Sequence, residues 1–89
     1  MNKNQEIINM FRGRILRGVF KKMDGSRRKF WGVLKYEVRD VPNLVTVYDF
    51  RKSEYRRFRL DQGAITLNSG KIWYKYNSHN GVTLKTRSA

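Results

Sequence analysis

The stretch Tyr55-Arg56-Arg57-Phe58-Arg59-Leu60 sets three arginines among aromatic and aliphatic residues. A guanidinium is a planar fork of donors that pairs bidentately with phosphate or stacks on a base. An aromatic ring beside it offers a face to an unpaired base. Period-two alternation sends Phe58 and Leu60 to a core and turns Tyr55, Arg57 and Arg59 outward. Arg51 and Lys52, in the polar turn just before, extend the basic patch. A second cluster, Lys21, Lys22, Arg27, Arg28 and Lys29, surrounds Asp24-Gly25, a strong hairpin-turn signal. A projecting hairpin tip of this charge can hold a phosphate backbone. Trp31 shares a strand face with Lys29 and Lys35 and is a candidate base platform, as is Tyr48. Trp73 is expected in the core, where large aromatics of a small domain usually lie.

These residues suit binding and give little for catalysis. His79 is the lone histidine and there is no cysteine. A general acid–base pair needs two groups held together, and a two-metal site needs clustered carboxylates. The carboxylates here are scattered among basic residues, and the glycines sit singly at turns instead of forming a phosphate loop. No enzyme, no metal and no cofactor is expected.

Twenty Lys and Arg against seven Asp and Glu leave a formal charge of +13 on 89 residues. Self-repulsion of that size points to an anionic partner, and nucleic acid is the expected one. An anionic membrane is the rival, but neither end supplies a basic amphipathic helix or polybasic tail. The first ten residues are neutral; residues 11–40 carry +7, residues 41–60 carry +3 and residues 61–89 carry +3. The charge therefore belongs to the folded part. Apolar runs are far shorter than the roughly 20 residues of a membrane span. The chain reads as an intracellular, cytoplasmic protein.

The elements that must position these residues are short. Asn4 is expected to cap a helix running to about Phe11, with Ile7, Ile8, Met10 and Phe11 at helical spacing. Arg14 to Met23 is strand-like, and the return strand from Arg27 to Val38 puts Phe30, Leu34, Tyr36 and Val38 on one face. Gly32 suggests a bend or bulge. A loop containing Pro42, a strand over Leu44–Phe50, a strand over Tyr55–Leu60, a short strand near 64–67 and a hairpin at 71–76 follow. Residues 77–89 read as a polar, fraying tail. The fold class expected is all-β: a small antiparallel barrel, residues 1–76, with a short N-terminal helix. Its exposed edges are expected at 64–67 and 71–76, where two copies could pair into a homodimer.

Three segments carry a family resemblance: Lys22, Asp24, Gly25 and Arg27 of the hairpin; Val47 and Asp49 at a strand end; and Tyr55, Arg56, Phe58, Arg59, Leu60 and Asp61. Over residues 14–67 the chain resembles the small phage-encoded WYL-like proteins, although Tyr55 stands where tryptophan is more usual. The resemblance implies an SH3-type or Sm-like barrel. Through likeness to a phage inhibitor of a host RNase, the resemblance implies RNA binding and a counter-defence role against a host RNase toxin of a toxin–antitoxin system, in the infected bacterial cell. Two alternatives stay open: a basic protein-interaction module docking on an acidic host protein, and a DNA-binding phage regulator.

Overall fold

The computed structural model describes residues 3–35 and 43–86. The sequence expectations for Tyr36, Val38 and Pro42 lie outside them. Helix α1 (Lys3–Phe11) buries Ile7, Met10 and Phe11, with Ile8 half-buried, as the helical spacing requires. Its described span starts at Lys3, one position ahead of Asn4. Among the described residues seven strands follow: β1 (Ile15–Lys22), β2 (Arg27–Leu34), β3 (Leu44–Asp49), β4 (Glu54–Arg59), β5 (Gly63–Ser69), β6 (Ile72–Asn77) and β7 (Gly81–Thr86). A single 3-10 turn (Leu60–Gln62) joins β4 to β5. All pairings are antiparallel, and the sheet runs β4-β3-β2-β1-β5-β6-β7.

The sheet is strongly curled. Three strand spacings separate β4 from β1, about 14 Å in a flat sheet. Yet the rings of Phe20 on β1 and Phe58 on β4 lie 5.2 Å apart, and Phe30 on β2 stacks on Phe58 at 4.8 Å. These three rings meet Leu16, Val45, Val47, Leu60, Ile65, Leu67, Ile72 and Tyr74 in one core, and α1 adds its apolar face to it.

Gly32 needs no bulge: it pairs with Leu16 on one side and Asp49 on the other in continuous register. A Cβ there would collide with the backbone carbonyl of Tyr48. The glycine therefore answers a close approach of two strands.

Two expectations are corrected. Residues 81–86, read as tail, form β7. Gly81 closes the preceding turn at φ +72°, and Val82 packs against the core. Lys85 pairs with Glu6 of α1 at 2.6 Å, and Tyr74 donates to the same carboxylate at 3.1 Å. The segments 64–67 and 71–76 are interior to the strand order, so the outer strands are β4 and β7. No helix among the described residues is long and apolar enough to cross a membrane.

Candidate nucleic-acid interface

The β1–β2 hairpin and β4 are far apart in sequence, and the curl brings them together. Between them opens a cleft of about 760 Å³. Lys22 and Arg28 reach it from the hairpin, and Tyr55, Arg57 and Arg59 from β4, while Phe20 and Phe58 line it where the two elements touch. Part of each basic cluster recognised in the sequence thus faces one space: Lys22 and Arg28 from the hairpin, and Arg56, Arg57 and Arg59 from β4. The hairpin tip is held locally: Ser26 donates from its backbone N–H (2.9 Å) and its hydroxyl (2.7 Å) to Asp24. Those bonds hold the Asp24 carboxyl below its ordinary range.

β4 presents its residues in two sets. Tyr55, Arg57 and Arg59 are exposed; Phe58 is buried and Arg56 half-buried. Lys35 N–H donates to the Thr46 carbonyl and Phe50 N–H to the Trp31 carbonyl, so alternate residues of β3 bond to β2. The intervening residues bond to β4, which leaves the backbone groups of Tyr55, Arg57 and Arg59 directed out from the free edge.

The arginines differ in their partners. Arg56 lies 3.4 Å from buried Asp49 and 3.2 Å from Glu54. Asp49 also accepts the Arg51 N–H at 3.0 Å, tying the β3–β4 turn to the same carboxylate. Arg59 pairs with exposed Asp61 at 3.0 Å. That pairing holds the Asp61 carboxyl below its ordinary range and raises the Arg59 guanidinium.

The remaining sequence candidates are distributed around this centre. Lys21, Arg27 and Lys29 are exposed on the hairpin, and Arg51 and Lys52 on the β3–β4 turn. Lys29 and Arg51 line a hollow of about 170 Å³ beside Trp31, together with Arg17, which the sequence analysis did not select. The signal for Arg17 was the alternation of β1, which sets it opposite Trp31. Trp31 is exposed and touches Phe50 edge-on at 4.9 Å. Tyr48 touches both Phe50 (6.0 Å) and Tyr55 (5.0 Å), and the Lys35 ammonium sits 4.7 Å over the Tyr55 ring.

Trp73 corrects an expectation. It is 42 % exposed, while Ile72 and Tyr74 on either side are buried. Alternation along β6 had room for only one set of inward residues, and the phenol of Tyr74 finds Glu6 as its partner. Burial, with the Glu6 charge beside it, pushes the Tyr74 phenol well above its ordinary value. His79 is exposed on the β6–β7 turn, near Lys21 and Lys22. No cluster of His, Asp and Glu able to hold a metal occurs among the described residues.

The arrangement can bind an extended anion: cations from two elements converge on one cleft, with aromatic rings at its border. Comparison with protein-family models, with curated proteins and with solved structures finds no match for this chain.

Proposed function

We propose that this protein binds RNA without cleaving it. The observation that carries this reading is the convergence of Lys22, Arg28, Arg57 and Arg59 on a single open cleft of a chain with a charge of +13. Phosphates seated there would meet bidentate guanidinium donors and an ammonium group. The curled antiparallel sheet with a 3-10 turn before β5 supports an SH3-type or Sm-like barrel as its fold type. The resemblance to small phage WYL-like proteins supports a further reading: a counter-defence factor in the infected host cytoplasm. In that role the RNA bridges the protein to a host RNase toxin and occludes the toxin's active site.

The direct test is fluorescence anisotropy with labelled single-stranded RNA, using protein freed of nucleic acid by nuclease and high-salt washing. Binding that weakens steeply with salt, with the probe recovered intact, is the expected result. Absence of binding, or salt-independent binding, overturns the reading. Binding of an acidic host protein by nuclease-treated material, with no RNA affinity, would favour the protein-docking alternative.

A further inference from the structure

The outer face of β2, β3 and β4, with Phe50 just past the end of β3, carries four rings in contact: Trp31 with Phe50, Phe50 with Tyr48, and Tyr48 with Tyr55. Each contact is edge-on, with interplanar angles from 62° to 83°. The two end members are exposed, Tyr55 at 57 % and Trp31 at 36 %; the middle two are half-buried and brace them. This face is separate from the core, which already holds Phe11, Phe20, Phe30, Phe58 and Tyr74. The rings are therefore held at the surface by strand alternation in a small chain whose interior is filled by other aromatics.

Charge surrounds the stripe. Arg17, Lys29 and Arg51 line the hollow at the Trp31 end. At the other end a hollow of about 400 Å³ is lined by Val33, Lys35, Tyr48 and Tyr55. No carboxylate lines either hollow among the described residues, whereas the cleft includes Asp24 and Glu54. Tyr55 belongs to both surfaces: it borders the cleft and ends the stripe.

We infer that the stripe is a stacking platform for unpaired bases, so that the ligand is single-stranded RNA passing from the cleft around the β4 edge. This rests on the RNA-binding reading and names its substrate class. Exposed rings beside cations suit a strand that offers a base face and a phosphate in each nucleotide. A duplex keeps its bases stacked on one another and could use only the cations. An acidic polypeptide could use the cations but would leave the ring faces without matching planar groups.

The test uses the full chain with Trp73→Phe, so that Trp31 is the one indole reporter. Three probes share a length of about ten nucleotides, within the span such sites cover: oligouridine, an abasic oligoribonucleotide, and an RNA duplex. Oligouridine is expected to quench Trp31 emission and to bind about 5- to 100-fold more tightly than the abasic strand. Trp31→Ala and Tyr55→Ala are each expected to narrow that margin, with circular dichroism confirming the fold. Tyr55→Ala stands alone as the test if Trp31→Ala fails to fold. Equal binding of oligouridine and the abasic strand, with Trp31 emission unmoved, overturns the inference and leaves a charge-only RNA surface. Equal or tighter binding of the duplex also overturns it. If no RNA probe binds, the RNA-binding reading itself fails. If polyglutamate quenches Trp31 and RNA does not, the face takes protein.

Discussion

Neighbouring arginines on β4 have opposite duties. Arg56 faces the only carboxylate that is buried among the described residues, Asp49. Removing it leaves a buried charge without its cation, a change that typically costs about 3–5 kcal/mol. Arg57 is exposed and lines the cleft. Arg57→Ala is expected to change stability by no more than about 0.5 kcal/mol while weakening RNA binding. Urea unfolding of both variants, paired with anisotropy, checks this; a stable Arg56→Ala or an unfolded Arg57→Ala would contradict it. Arg59 is intermediate, because Asp61 already holds it. Asp61→Asn releases that guanidinium and adds one unit of net charge, so RNA affinity at fixed salt is expected to rise. The same release occurs on acidification. The Asp61 pKa is depressed below 3.8, so the pair is intact above that value and is lost as pH falls through the lowered one.

At the scale of elements, α1 is joined to the end of the sheet through one carboxylate. Glu6 accepts from Tyr74 of β6 and pairs with Lys85 of β7. Tyr74→Phe deletes a hydrogen bond to a charged acceptor, a loss of about 1.5–3 kcal/mol near neutrality. The Tyr74 pKa is raised above 10.0, so the folded state keeps a proton that the unfolded chain releases. The contribution of the neutral phenol is therefore complete below about pH 10 and falls as pH rises beyond it. The gap in melting temperature between the parent and Tyr74→Phe is expected to shrink above pH 10; a constant gap would refute the account. The strands legible in the sequence were those with alternation or turn chemistry: β1 and β2 around Asp24-Gly25, β3, β4 with Phe58 inward, and β5 and β6, expected near 64–67 and at 71–76. β7 was not legible, since Thr83, Leu84, Lys85 and Thr86 are all exposed and show no alternating burial. Its order comes from pairing with β6 and from Glu6, 79 residues away. The edges were misplaced for two reasons: the missed β7 makes β6 interior, and β5 is interior because it pairs with the distant β1, which alternation does not reveal. Gly32 was noticed, but its cause is the Tyr48 carbonyl, which only register reveals. The basic segments were also legible; their meeting across the cleft was not, because it follows from the curl.

At the scale of the molecule, charge and shape together set how binding responds to salt. Five basic residues line the cleft, but Arg56 is committed to Asp49 and Arg59 to Asp61, leaving Lys22, Arg28 and Arg57. Arg17, Lys29 and Arg51 at one end of the aromatic stripe, with Lys35 at the other, add cations beyond the cleft. A strand spanning both surfaces would neutralise about four to six phosphates, at a log–log salt slope of about −0.7 for each. The expected slope for single-stranded RNA is therefore about −3 to −4. Arg57→Ala should make it shallower by about 0.7, whereas Trp31→Ala should lower affinity at every salt concentration and leave the slope unchanged. The outer strands bear on the same measurement. The β4 edge is lined by exposed Arg57 and Arg59, so edge-to-edge pairing of two β4 strands would set like charges together, and β7 is the better edge for a second copy. Self-association through β7 would work against the repulsion of two chains of +13 and would strengthen with salt, opposite in sign to the expected RNA binding. Titrations at several protein concentrations, with sedimentation run in parallel, separate the two: a slope that changes with protein concentration would mean that assembly, and not the phosphate contacts of one molecule, sets the salt response.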